Sequence, residues 1–206
     1  MSIPNIISIE SKQAIKTSLR FIKSGGLISV PTDTVYGIVC DAFNPAAIEK
    51  IYFIKGRNFS KPLPVLIGNL AQLEIIVPPL NAFALKLVKE FWPGPLTVIV
   101  PRLPSVPSQL STNPTIGIRM PDHGWLLKLL SASGPLASTS ANLSGNPEAR
   151  SAFEVLGQFG KKMDLIIDGG PSSQQNPSTV VDCSSHDINI LREGPISSDS
   201  ILAVLS

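Results

Sequence analysis

Short apolar runs of strand length alternate with longer amphipathic patterns along the whole chain, and this alternation constrains the fold more than any other feature. Gly26 to Val30, Val35 to Cys40, Pro64 to Ile67, Leu96 to Val100, Ile116 to Met120, Pro135 to Ser138, Leu165 to Asp168, Ser178 to Asp182 and Ile188 to Leu191 read as strands. Between them, residues 11–24 place Ile15, Leu19 and Ile22 at helical spacing, with Gly25 as the stop. Asn44-Pro45 supplies a capping side chain and then proline at the first helical position. Ile48, Ile51 and Tyr52 give that helix its apolar face, and it should end near Gly56. Leu80, Phe83, Ala84, Leu87, Val88 and Phe91 mark another helix, stopped by Trp92-Pro93-Gly94-Pro95. Shorter helices are expected over 125–130, 153–159 and 200–205. Residues 101–115, rich in Pro, Ser and Thr, read as a surface loop, and Gly169 to Pro177 as a polar loop. No repeat and no long linker interrupts the pattern. The expectation is an α/β fold, a single domain with one twisted mixed sheet and flanking helices.

The bulk properties narrow the function by exclusion. Of 206 residues, 43% are hydrophobic and 16% charged, enough for a sizeable core and too apolar for disorder. A net charge of +2 makes no case for nucleic-acid binding. Cys40 and Cys183 have no metal-site or disulfide spacing, so buried free thiols are expected. His123 and His186 are isolated and too few for a metal cluster, and Asp33 and Asp41 lie in separate contexts. The chain contains no H-E-x-x-H and no G-x-S-x-G, which argues against a zinc protease and a triad hydrolase. It also has no P-loop and no G-x-G-x-x-G, so a nucleotide would have to be held in another way. The N-terminus has no basic region ahead of its apolar residues, and no stretch approaches the roughly 18 apolar residues of a membrane span. A cytoplasmic protein with no membrane partner is the expectation.

What remains is anion chemistry. Lys55-Gly56-Arg57 and Ser138-Thr139-Ser140-Ala141-Asn142 lie far apart, yet each follows an apolar run that should be buried. Arg119 sits in a strand pattern, Arg192 follows another, and Ser178-Thr179 adds hydroxyls. Fixed cations with hydroxyl and amide donors suit phosphates and carboxylates. Two plainer readings stand beside this one. Lys55 and Arg57 could cap helical carbonyls and face water, and the Ser/Thr/Asn run could be an ordinary polar turn.

A resemblance adds to this inventory. The run from Ser24 to Gly37, ending Pro31-Thr32-Asp33-Thr34-Val35-Tyr36-Gly37, resembles the opening motif of the YrdC-like family of threonylcarbamoyl-AMP synthases. The likeness continues through Ile54-Lys55-Gly56-Arg57, Lys61-Pro62-Leu63, Trp92-Pro93-Gly94-Pro95-Leu96-Thr97 and Ile118-Arg119-Met120-Pro121. It then takes in Ser138 to Gly145, Pro177 to Asp182 and Leu191-Arg192-Glu193-Gly194, so the motif-bearing core runs from about residue 10 to about residue 195 of the single domain 1–206. The family also has longer members with an extra C-terminal domain; this chain resembles the short form.

The resemblance implies a nucleotidyltransferase that converts L-threonine, bicarbonate and ATP, with Mg²⁺, to threonylcarbamoyl-adenylate and pyrophosphate. The product would feed the threonylcarbamoyl modification of adenosine 37 in ANN-decoding tRNAs through downstream transfer proteins. The family's K-x-R and S-x-N pattern falls on Lys55, Arg57, Ser140 and Asn142, which it implies as catalytic. ATP would be held by these four together with Ser138, Ser178 and Arg192, and threonine by Thr34 and Arg119. Leu66 stands where many members carry histidine. Two alternatives are double-stranded RNA or tRNA binding and formation of a different acyl-adenylate.

Overall fold

The computed structural model describes residues 5–172, 176–185 and 187–206. His186 and part of the expected 169–177 loop lie outside them. In chain order the elements are β1 (Asn5–Ser8), α1 (Ala14–Lys23), β2 (Ile28–Val30), β3 (Gly37–Asp41), α2 (Pro45–Lys55), β4 (Val65–Leu66), α3 (Ala82–Phe91), β5 (Leu96–Pro101), β6 (Thr115–Arg119), α4 (Gly124–Ser133), β7 (Leu136–Ser140), α5 (Ala152–Phe159), β8 (Leu165–Asp168), β9 (Thr179–Asp182), β10 (Asn189–Arg192) and α6 (Ser198–Leu205). The strands join in one ten-stranded sheet ordered β1-β8-β2-β3-β7-β4-β6-β5-β9-β10. It is mixed: β1/β8, β2/β8, β4/β6 and β5/β9 pair parallel, the other neighbours antiparallel. The expected single-domain α/β architecture is the one observed.

The alternation of side chains along a strand divides the core in two. On one face Ile28, Val30, Val39, Leu66, Leu136, Leu165 and Ile167 pack under Ala14 and Ile22 of α1 and Leu126, Leu129 and Leu130 of α4. On the other, Ile38, Val65, Leu96, Val98, Ile118, Ala137 and Ile166 meet residues of α2, α3, α5 and α6. The α1/α4 layer covers only one end of its face. From the end of β7 across β6 to β5 that face carries Ser138, Ser140, Arg119 and Thr97, hydroxyl or cationic side chains in place of aliphatic ones, and there the sheet is left open.

Helix ends follow local chemistry. The Asn44 side chain accepts from Ala47 N, Pro45 opens α2, and Gly56 closes it in the left-handed region at φ 57°. Asn81 caps α3 through Ala84 N, so the helix starts after Leu80. Two features depart from expectation. β1 lies at the sheet edge, mostly exposed, and offers no alternating pattern to read. The 101–115 segment is not merely a surface loop: Val106, Leu110 and Ser111 are buried, and Leu63 N donates to Leu110 O at 2.8 Å. Its few apolar residues anchor it to the core. Both cysteines are free and buried, as expected.

Candidate active site

A cavity of about 160 Å³ opens on the bare part of the sheet face. Thr34, Arg57, Arg119, Ser138, Ser140, Ser178 and Arg192 line it, with Thr32, Leu66 and Thr97. Residues separated by up to 160 positions in the chain thus share one wall, because β7, β4, β6, β5 and β9 are neighbours in the sheet. Lys55 and Asn142, expected in direct contact with the nucleotide, are not among the lining residues; they stand behind the wall.

Lys55 does not face water. It is 3% exposed, and its Nζ donates to Ser140 O at 2.5 Å, Asn142 O at 2.6 Å and Asn142 Oδ1 at 3.0 Å. Three acceptors use all three N–H groups of an ammonium; a neutral amine has only two. Burial lowers the Lys55 pKa to about 7, helped by the positive charge of Arg57 and opposed by Glu148. Asn142 is equally committed, its Nδ2 donating to Asn146 O at 2.7 Å. Ser140 Oγ donates to Asn142 Oδ1 at 2.6 Å. With that proton spent, Ser140 presents only lone pairs to the cavity. Lys55 and Asn142 are therefore the frame that shapes the 138–146 turn, and Ser140 is the part of the network that reaches the cavity.

The 31–34 turn is wired in one direction. Thr32 Oγ1 donates to Val35 O at 2.7 Å, so it can only accept in its 3.0 Å bond with Thr34 Oγ1. Thr34 thus gives its proton to Thr32 and accepts from Arg119 Nη1 at 3.1 Å. Like Ser140, it offers an acceptor to whatever enters. Arg119, 7% exposed, also donates from Nε to Gly94 O at 3.0 Å and from Nη2 to Asp33 Oδ1 at 2.5 Å. The Asp33 pair is the one salt bridge among the described residues.

The remaining cations are held from behind. Arg192 donates from Nε and Nη2 to Ser178 O, at 3.0 and 2.8 Å, and Ser178 Oγ lies 2.9 Å from Thr97 Oγ1. Arg57 donates to the carbonyls of Lys61 and Pro62, not to the end of α2. Burial lowers the pKa of both guanidiniums, offset at Arg192 by Glu148 and reinforced there by Arg119. Both remain cations, as arginine does in proteins. Ser138 makes no side-chain hydrogen bond among the described residues and is free to donate. The cavity therefore presents three guanidinium groups and a hydroxyl donor to anionic oxygens, and two acceptors, Ser140 and Thr34, to an N–H or O–H group.

Sequence reasoning passed over Asp33, Thr32 and Gly94, which set the geometry of Thr34 and Arg119. Asp33 was legible only as a neighbour of Thr34 in the opening motif, since its partner lies 86 residues away. Leu66 does line the cavity, beside Arg119 in the sheet register. Among the described residues no group of three or more His, Cys, Asp or Glu is arranged to hold a metal ion, and no helix is long and apolar enough to cross a membrane.

Comparison with known proteins bears on this cavity. A Bacillus subtilis protein named threonylcarbamoyl-AMP synthase is 39% identical over 194 residues, covering 93% of this chain and 56% of that one. The structure of Pyrococcus abyssi Sua5 complexed with L-threonine matches with a TM-score of 0.93 at 35% identity, over 99% of this chain and 61% of that one. Escherichia coli YciO matches with a TM-score of 0.86 at 29% identity, over 98% of this chain and 100% of that one. The family pattern Sua5/YciO/YrdC, described as telomere recombination, matches residues 20–194, a span that takes in every residue lining the cavity. On that match and those identities, the chain belongs to the Sua5/YciO/YrdC family.

Proposed function

We propose that the chain is a threonylcarbamoyl-AMP synthase, a nucleotidyltransferase that converts L-threonine, bicarbonate and ATP to L-threonylcarbamoyladenylate, pyrophosphate and water. The observation that carries this reading is the cavity wall: three arginines and a set of oriented hydroxyls with no lining carboxylate, on a fold shared with the threonine-bound Sua5 structure.

The chemistry asks for little more than such a wall. The threonine amine and bicarbonate combine with loss of water to give a carbamate. One carbamate oxygen attacks the α-phosphorus of ATP, and the bond to pyrophosphate breaks. The nucleophile is already an anion, so no strong general base is required. The task is to bring anions together and to stabilise charge spreading over the phosphoryl group. Arg57 and Arg192 are suited to the phosphates, with Ser138 and Ser178 as hydroxyl contacts. Arg119 suits the threonine carboxylate, and the acceptor on Thr34 suits a threonine N–H or O–H. Ser140 faces the reacting groups, while Lys55 and Asn142 hold it in place. Magnesium would arrive with ATP and would supply charge neutralisation at the phosphates, beside Arg57 and Arg192, without a protein carboxylate cage.

The product is a reactive mixed anhydride, made for handing on to proteins that modify adenosine 37 of ANN-decoding tRNAs. The expected compartment is the cytoplasm, and residues 1–206 are expected to act as one catalytic unit. The test is pyrophosphate release by the purified protein with ATP and Mg²⁺, omitting L-threonine and bicarbonate in turn. Release that needs both supports the reading. Release without threonine would redirect it to another acyl-adenylate. A folded protein that releases none, yet binds double-stranded RNA with steep salt dependence, would overturn it.

A further inference from the structure

Among the described residues Asp33 is the one acidic residue in contact with the arginines of the cavity wall, and it is placed unusually. Its Oδ1 meets Arg119 Nη2 at 2.5 Å, while its Oδ2 is buried with no hydrogen-bond partner. A buried carboxylate normally fills both oxygens, since an unpaired one is costly to desolvate. Asp33 does not line the cavity that holds Arg119; it lies on the far side of the 31–34 turn, against a second cavity lined by Pro31, Asp122, His123 and Gly169. It therefore meets Arg119 from behind, on the side away from substrate. Gly94 O takes Nε and Thr34 Oγ1 takes Nη1. Three acceptors in three directions fix the plane of the guanidinium and leave one N–H on each Nη uncommitted.

We propose that Asp33 is a positioning residue for amino-acid capture: it locks the Arg119 guanidinium so that its two uncommitted N–H groups meet the threonine carboxylate as a pair. This rests on the threonylcarbamoyl-AMP synthase reading. A bidentate guanidinium–carboxylate contact needs both donors in one plane. Of the three acceptors, only Asp33 is charged. With a neutral group in its place, the one charge-assisted contact on Nη2 is lost, and Gly94 O and Thr34 Oγ1 alone hold the guanidinium plane less firmly. The role belongs to the amino-acid side of the reaction and leaves ATP recognition, at Arg57 and Arg192, untouched.

The experiment is steady-state pyrophosphate release by Asp33→Asn, with L-threonine and ATP each titrated at saturation of the other. The KM for L-threonine is expected to rise by about 10-fold or more, the scale of one weakened charge-assisted contact, with the KM for ATP within about 3-fold of wild type. Should Asp33→Asn fail to fold, Asp33→Glu decides: the charge stays but an extra methylene displaces Arg119, and the same selective rise is expected. Equal rises in both KM values, or an unchanged KM for threonine, would overturn the assignment. The wild-type control separates the two levels of inference. Threonine-dependent release by wild type with an unselective Asp33 variant removes only the role of Asp33. No threonine-dependent release by wild type removes the enzyme reading and this role with it.

Discussion

Lys55 is buried behind the cavity wall, where its side chain holds a turn rather than lining the cavity. Its ammonium binds three oxygens of the 140–142 turn, and burial draws its pKa from 10.5 to about 7. Between those two values the unfolded chain binds more protons than the folded chain, so this residue makes stability rise with pH. Its penalty is complete below about pH 7 and is released as the pH climbs toward 10.5. The unfolding free energy of wild type minus that of Lys55→Met, from urea titrations, should therefore increase between about pH 7 and about pH 9. A flat difference would show that Lys55 keeps its ordinary pKa in the folded chain. Lys55→Ala should also nearly abolish pyrophosphate release while leaving a folded protein, because the Ser140 turn loses its anchor. Arg57→Ala removes a guanidinium from the cavity wall and, on the proposed phosphate role, should lower kcat by roughly 100-fold, measured at saturating ATP.

Elements set the cavity through their ends. The strap after β10 returns close to β9, where Gly194 N donates to Thr179 Oγ1 at 2.9 Å. A Cβ at Gly194 would collide with Pro177 O and stand 2.7 Å from Thr179 N. Backbone cannot yield as a flexible side chain does, so Gly194→Ala should push the strap outward and carry Arg192 away from Ser178. The expected result is a raised KM for ATP with the KM for threonine little changed; equal effects on both substrates would contradict it. At the start of α2 the Asn44 cap is a purely local device. Asn44→Ala should cost about 1 kcal/mol in chemical denaturation and leave both KM values alone.

The whole molecule is one sheet between two unequal layers, and the site exists because the smaller layer stops short. Leu129 and Leu130 of α4 are fully buried against that face. Leu129→Ala should destabilise the protein by about 2–5 kcal/mol, read from thermal or urea unfolding. It should not alter the ratio of the two KM values, because α4 lies beside the cavity and supplies none of its lining. A selective change in that ratio would mean that α4 takes part in substrate binding.

Periodicity, proline and glycine made most helices and strands legible, since these act over a few residues. The Asn44-Pro45 start, the Gly56 stop and the strand from Leu96 needed nothing beyond their neighbours. The motif blocks likewise pointed to seven residues that the cavity does gather. The edge strand β1 carried no alternation to read, and the anchoring of 101–115 depended on a few buried apolar contacts. Hydrogen-bond direction was not legible at all. Whether Ser140 donates or accepts depends on Asn142 and on Lys55, 85 positions earlier, and whether Arg119 is locked depends on Asp33 and Gly94. Local sequence decides where the backbone can turn and which faces are apolar. Only the assembled sheet decides which distant groups share a low-dielectric wall, and that sharing commits each proton and fixes what the cavity can bind.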